Sequence, residues 1–378
     1  MNNDPIYVTR PSLPDFDEFV ASLRSIWQSR QLTNVGPFHE ALEHALAEYL
    51  GVEHVSLFCN GTIALQVGLQ ALRIAGEVIT TPYSFPATTH VIYWNRCKPV
   101  FCDIDSATCN LDVSKIESLI TPRTTAIVPV HVYGTPCDTD AIARIADTYG
   151  LRVIYDAAHA FGARWRGRSL VDYGDLAMLS FHATKIFSTI EGGALVTRNA
   201  QLKKRIDYLK NFGIAGETRV VAPGTNGKLN ELQAAYGLLQ LKQVDGNIAK
   251  CARIAARYRA LLADVRGLRM LHARDEYTPN HSYFPVFVDA VDFGLSRDDL
   301  YQALRNANIM TRRYFYPLIS SFASYRNLPS AKRDNLPVAE AVCESVLCLP
   351  MYPDLDERTI GRICGVIRDA AGAPKPAA

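Results

Sequence analysis

No stretch of this chain approaches the roughly 18 apolar residues that a membrane span needs, so no membrane partner is expected. A dominant charge is missing too. Forty Lys and Arg against 38 Asp and Glu leave a formal net charge of +2, which gives no overall reason to expect nucleic acid as a partner. The basic runs are short: Lys203-Lys204-Arg205 reads as a solvated helix face, and Arg312-Arg313 has the same plain reading as a loop face. Nine cysteines contain no Cys-x-x-Cys pair, and Cys97, Cys102, Cys109 and Cys137 lack metal-ligand spacing with a histidine, so no bound metal is expected. An odd, scattered set of thiols in a chain this long fits reduced core residues of a cytoplasmic protein. Met-Asn-Asn-Asp-Pro at the start has no basic segment ahead of an apolar run, so no signal peptide is expected. There is no internal repeat and no low-complexity tract except an Ala/Pro tail at 372–378, expected to be disordered.

At 378 residues the chain is longer than one hydrophobic core usually serves, so two lobes are expected. An apolar share of 48% and a charged share of 21% suit a soluble globular enzyme. Strands and helices alternate along the first half. Strands are expected at 53–58, 77–81, 99–102, 125–130 and 151–155, and helices at 62–72, 87–94, 113–119 and 139–149. Such alternation predicts a mostly parallel sheet with helices on both faces. Ligands of these sheets bind at the carboxyl ends of the strands. Asn60, Tyr83, Phe85, His131 and Asp156 all stand at or just after such ends. Further on, a strand is expected at 194–197, a helix at 201–211 and a Gly-rich loop at 213–227. Two long helices are expected at 230–245 and 248–262. The segments 282–288, 297–307 and 309–312 read as strand, helix and strand of a smaller lobe.

The densest local signal is Ser180-Phe181-His182-Ala183-Thr184-Lys185, followed by Glu191-Gly192-Gly193. It is preceded by Val153-Ile154-Tyr155-Asp156, whose acid lies 29 residues before the lysine. An apolar run ending in an acid, then a lysine in a small, Gly-flanked turn, suits pyridoxal phosphate (PLP). That cofactor needs an amine to hold its aldehyde and a carboxylate to keep its ring nitrogen protonated. The same pair also occurs in α/β proteins without such chemistry. Asn60-Gly61-Thr62 directly after a strand offers a helix start to a phosphate, and it is equally a good turn and N-cap.

Longer strings carry a resemblance. SFHATKIFSTIEGGALVT (180–197) resembles the lysine segment of the DegT/DnrJ/StrS-type nucleotide-sugar aminotransferases, and VIYDAAHAFGA (153–163) resembles their ring-nitrogen segment. NGTIALQVGLQAL (60–72) is similar to their phosphate-binding helix start, and GTNGKLNELQAAYGLLQL (224–241) to their dimer-contact segment. The matches keep the family's order from about residue 6 to residue 355.

The resemblance implies PLP fold type I, the fold of aspartate aminotransferase. A large lobe with a mostly parallel central sheet (1–250) would carry a smaller C-terminal α+β lobe (251–378). It implies Lys185 and Asp156 as the catalytic pair, with PLP bound by both. Gly61, Thr62 and Ser180 would hold the phosphate, and Phe85 would lie over the ring. His159 would either reach the cofactor's phenolic oxygen or brace Asp156. Asn226 would reach the phosphate of a second subunit, giving a homodimer with shared sites; a left-handed turn asparagine is the competing reading. Leu232, Tyr236, Leu239 and Leu241 would then bury against the twin chain. Arg312, Arg313, Tyr314 and Tyr316 fall where the family's small lobe approaches the nucleotide sugar, guanidinium groups suiting a diphosphate and aromatics a base. Ser188 and Ile190 depart from the asparagine and phenylalanine expected there, without removing a group the chemistry needs.

The implied reaction moves an amino group from L-glutamate to a nucleotide-linked keto-sugar. Similarity points to dTDP-4-keto-6-deoxyglucose as acceptor and dTDP-4-amino-4,6-dideoxyglucose (viosamine) as product. Amination at C3 of a dTDP-3-keto-6-deoxyhexose, or a PLP-binding regulatory protein without turnover, are the alternatives. Lys185 argues against the dehydratase relatives, which carry histidine in its place.

Overall fold

The computed structural model describes residues 4–272 and 274–372. The Ala/Pro tail, from residue 373 onward, lies outside the described residues.

Seven strands form the central sheet, in the spatial order His54–Phe58, Gly193–Thr197, Leu176–Ser180, Arg152–Asp156, Thr124–Val128, Glu77–Thr80 and Lys98–Phe101. Neighbours pair in parallel except around Gly193–Thr197, which is antiparallel to both partners. Helices cover both faces, so the strands are buried along most of their length and carry apolar runs such as Val153-Ile154-Tyr155 rather than alternating. One face packs Ala64, Leu65 and Leu69 of the Gly61–Ala71 helix on Ile154 and Met178. The other packs Leu42 and Leu46 of the Pro37–Leu50 helix with Leu57, Phe161 and Leu179. Register puts Asp156 opposite Met178, and Gly193 opposite both Ser180 and Phe58. The acid, the serine and the glycine thus reach the same end of the sheet.

The expected helices at 87–94 and 139–149 form with those bounds. Asp138 caps the second by accepting from Ala141 N–H, and Gly150 closes it at φ 65°. Residues 113–119 form two 3-10 turns instead of a helix. Ile116 is buried in the core and Val113 and Leu119 pack against it, so the short turns still place their apolar side chains.

Two helices expected at 230–245 and 248–262 are one, Glu231–Leu262, of 32 residues. Gly246 does not break it. A mid-helix glycine costs about 1 kcal/mol, and Val244, Asn247 and Cys251 are buried around it. The first half of this helix packs with the sheet (Ala234, Val244), and the second half (Cys251, Ile254, Tyr258, Leu262) packs with a separate cluster. That cluster is built on an antiparallel sheet of Leu268–Met270, Phe284–Val288 and Val346–Leu349, with the Arg297–Asn306 and Glu357–Ala370 helices. It also takes Ile6, because Ile6–Tyr7 pairs in parallel with Ile309–Met310. Residue 250 therefore falls inside a continuous helix.

Two expectations about surfaces are corrected. Tyr236 and Leu239 are buried by their own chain, Tyr236 edge-on to Phe19. Lys203 is not a plain solvated residue: its amine joins Glu43 at 2.9 Å and Asp207 at 2.8 Å. All nine cysteines are free thiols, and eight are buried.

Candidate active site

At the carboxyl ends of the parallel strands lies a cavity of about 550 Å³. Its walls come from Asn60–Ile63, Ser84–Phe85, Asp156, Ala158–His159, Ser180 and Lys185 on one side and from Tyr283, Tyr314 and Phe315 on the other. Phe315, with Tyr283 and Tyr314 against it, belongs to a cluster that joins Tyr83, Val130 and Tyr133 of the sheet side to Phe287 and Val346 of the smaller sheet.

One end is a helix start. Asn60 has extended backbone, and its Oδ1 accepts from Ile63 N–H at 2.8 Å, so the Gly61–Ala71 helix begins with free N–H groups near the cavity. Two glycines let the strands close on it. A Cβ at Gly61 would meet Met178 Sδ at 3.0 Å and Ser180 Cβ at 3.1 Å. A Cβ at Gly193 would stand 2.6 Å from the Gly61 nitrogen. The Gly192-Gly193 pair of the sequence motif thus permits this contact.

The other end is acidic. Asp156 is 4% exposed. Its Oδ2 accepts from the Thr88 hydroxyl at 2.7 Å and its Oδ1 from Ala158 N–H at 3.1 Å. Ser84 backs Thr88 at 2.8 Å. No cationic side chain among the described residues is within ion-pair distance. Burial pushes the Asp156 carboxyl above the usual range, opposed by Thr88, Ala158 and the charge of Lys185. Lys185 is partly buried, and desolvation at its amine pulls its pKa down to about 8, with Asp156 working in the other direction. Its Nζ donates to the Tyr283 hydroxyl at 2.9 Å.

One contact sets the tautomer of His159. Its Nδ1 accepts from the Tyr133 backbone N–H at 3.1 Å. A backbone amide can only donate, so Nδ1 is unprotonated and the neutral ring carries its proton on Nε2. Burial, with the charge of Lys185, holds the imidazole well below the usual histidine range. The ring lies parallel to Phe315 and Tyr133, at 5.8 and 6.5 Å. Among the described residues no hydrogen bond joins His159 to Asp156; the Nδ1 bond goes to Tyr133 instead.

Gly61, Thr62, Phe85, Asp156, His159, Ser180, Lys185 and Tyr314 all line the cavity. Phe85 keeps 60% exposure, a ring with an open face. Asn226, Arg312, Arg313 and Tyr316 are not among the lining residues. Asn226 is exposed on its own chain, beside Asn211 in a short bridge. Arg312 is exposed and bridges to Cys348 through its backbone. Arg313 pairs with Asp298 at 2.8 Å and lies over Tyr301 and Tyr316, at 4.7 and 5.0 Å. Of the other strand-end residues, Tyr83 and His131 are buried in the core, His131 stacked on Tyr155 at 4.6 Å. Sequence reasoning missed Thr88, Tyr283 and Phe315. Thr88 had a signal, one helical turn after Ser84; Tyr283 and Phe315 had none, because they arrive from segments distant in sequence.

The chain matches the DegT/DnrJ/EryC1/StrS aminotransferase family over residues 15–368. It is 51% identical over 366 residues to a dTDP-4-amino-4,6-dideoxy-D-glucose transaminase of Escherichia coli, covering 96% of this chain and 98% of that protein. To the transaminase of the same name from Shigella dysenteriae it is 50% identical over 365 residues, covering 97% and 99%. Among solved structures, DesI in the presence of its TDP-sugar product superposes with a TM-score of 0.93 at 37% identity, covering 97% of this chain and 93% of that one. A match along nearly the whole length, to named transaminases at this identity, leaves one conclusion: the chain is an enzyme and belongs to the DegT/DnrJ/EryC1/StrS aminotransferase family.

Proposed function

We propose that this aminotransferase uses PLP to move an amino group from L-glutamate to a nucleotide-linked keto-sugar. The acceptor best supported is dTDP-4-keto-6-deoxyglucose, giving dTDP-4-amino-4,6-dideoxyglucose. The observation that carries the cofactor is Asp156, a buried carboxylate with no ion-pair partner among the described residues, in one cavity with an amine. A buried charge without a partner is costly, and a pyridinium nitrogen is a partner that fits. At the opposite end, the free N–H groups before Thr62, with the Ser180 hydroxyl, suit a phosphate.

When bound, PLP supplies an electron sink for the carbanion formed beside it. The chain supplies the rest. Asp156 holds a positive charge at the ring nitrogen and so keeps that sink deep. Lys185 carries the proton between carbons, and a pKa of about 8 suits a group that must both take and release one near neutral pH. His159, its proton on Nε2, would serve as a donor to the phenolic oxygen. Phe85, on the cavity wall, would pack against the ring and limit its tilt.

The choice of acceptor rests on the two relatives at 51% and 50% identity. A GDP-perosamine synthase of Caulobacter vibrioides, 36% identical over 342 residues, is named for a different nucleotide. The test is therefore a panel: dTDP-4-keto-6-deoxyglucose, a dTDP-3-keto-6-deoxyhexose and a GDP-4-keto-sugar, each with PLP and L-glutamate, read by product mass and NMR. C4 amination of the first is expected; its absence, with product from another acceptor, overturns the assignment.

We also read the enzyme as a homodimer in the cytoplasm, its lobes 1–250 and 251–378 meeting at the cavity. Support comes from Asn226, which faces outward on a loop region that also exposes Phe212, Ile214, Val220 and Val221. From there Asn226 would complete the phosphate site of the partner. Tyr314 would meet the sugar nucleotide directly, and Arg312, Arg313 and Tyr316 would form the outer wall. Among the described residues no helix is long and apolar enough to cross a membrane.

A further inference from the structure

Among the described residues, the one hydrogen bond made by the Lys185 amine goes to a residue just ahead of the smaller sheet's Phe284–Val288 strand. Nζ lies 2.9 Å from the Tyr283 hydroxyl and 5.5 Å from the centre of its ring. Tyr283 sits one residue ahead of the Phe284–Val288 strand. Its ring is held by His159 at 4.6 Å, Tyr133 at 5.8 Å and Tyr314 at 6.1 Å. Its backbone is tied as well. Asn280, buried three residues earlier, donates through Nδ2 to the carbonyls of His159 and Phe161 at 2.8 and 2.9 Å, while its Oδ1 accepts from Ser282 N–H. These bonds run to the segment directly after Asp156. The hydroxyl is thus located from the sheet side and the smaller sheet at once.

The chemistry of the partner matters. A carboxylate beside the amine would favour only the charged form. A neutral hydroxyl can accept from an ammonium and donate to a free amine, so it can hold the nitrogen through both states. Burial raises the Tyr283 phenol far above its usual range, which keeps it un-ionised.

We propose that Tyr283 is a positioning residue for the proton-carrying amine of Lys185, holding it in one place while it is protonated and while it is not. This rests on the proton-carrying reading of Lys185 given above. It also makes proton transfer depend on how the smaller sheet is seated, because Tyr283 leads into that sheet.

The titratable groups around the amine are Asp156 and His159 from the sheet side and Tyr283 and Tyr314 from the other, with His182 and Glu191 also lining the cavity. Removing only the hydroxyl leaves the first two unchanged. A hydrogen bond from a charged donor is about twice as strong as a neutral one. Its loss therefore weakens the ammonium more than the amine, and the pKa of Lys185 should fall.

The test is Tyr283→Phe, which keeps the ring and its stacking. In cofactor-free protein, pulse acetylation of Lys185 across pH, read by peptide mass spectrometry, gives the midpoint of its titration. The expected result is a midpoint lower by about half a unit or more, with turnover of the loaded enzyme reduced about tenfold. A midpoint and a turnover both equal to wild type overturn the proposal. Lys185→Ala, assayed in parallel, separates the two readings. If it is inactive while Tyr283→Phe matches wild type in both midpoint and turnover, this inference alone falls. If Lys185→Ala turns over normally, both fall.

Discussion

Lys185 and Asp156 are each placed where water would suit them better. In a folded protein free of cofactor, burial raises the Asp156 carboxyl. The folded state then binds its proton more tightly than the unfolded state, so stability falls as pH rises through the window between the two values and stays lower at neutral pH. Asp156→Asn keeps acceptors for Ala158 N–H and a partner for Thr88 while removing the charge. It should raise the melting temperature of the cofactor-free protein at neutral pH, and the gain should shrink on acidification, as calorimetry can follow. The same change should cost turnover about a hundredfold, roughly 2.7 kcal/mol of transition-state stabilisation; near-normal rates would mean that another acid serves the ring nitrogen. Lys185→Ala should fold, retain PLP and lose both half-reactions, measured as glutamate consumption and as sugar amination. Both residues could be read from the sequence, since an acid ending a buried strand and a lysine in a Gly-flanked turn are local patterns. Thr88, which shares its proton with Asp156, was half legible. Tyr283 was not legible at all.

At the scale of elements, close approach decides more than propensity. Gly193 opens its strand against the start of the Gly61–Ala71 helix, and any Cβ there would press on the Gly61 nitrogen. Gly193→Ala should fold yet bind PLP about tenfold more weakly or worse, seen by titrating cofactor into the stripped protein. A second junction is the Pro37–Leu50 helix, whose N-cap, Gly36, has no side chain to offer. Glu231, the first residue of the long helix, caps it instead by accepting from Phe38 N–H at 2.9 Å and His39 N–H at 3.0 Å. Glu231→Ala removes a buried acceptor pair and should cost about 2 kcal/mol in denaturant melts. The capping residue is nearly two hundred positions away, so no local pattern could reveal it. The same limit explains the helix at 231–262. Gly246 reads as a break in the sequence, but burial of its neighbours carries the helix through.

For the whole molecule, the prediction concerns sharing of sites. If Asn226 serves the partner's phosphate, Lys185→Ala and Asn226→Asp subunits, each inactive alone, should complement when mixed. One site of the mixed dimer would carry both lesions and the other neither, so about half of wild-type activity per heterodimer should return under two-fold symmetry. Verified heterodimers without recovery would place Asn226 in its own chain's site. Tyr236 and Leu239 are consumed inside the chain, while the 212–221 segment keeps its apolar side chains outside.

The sequence by itself determined the sheet, because buried parallel strands must be apolar throughout and must end in turns that can carry polar groups. It also determined the lysine, the acid and the helix start, each a local string whose chemistry needs no distant partner. Tertiary structure alone decided the tautomer of His159, because a backbone amide 26 residues away in sequence sets it. It alone turned Arg313 toward Asp298 rather than the cavity and brought Tyr283 onto Lys185 across 98 residues of chain. Local patterns specify what a segment can form; which groups meet at hydrogen-bond distance depends on how distant segments pack together, as Tyr83, Val130, Tyr133, Phe287 and Phe315 do in one shared cluster.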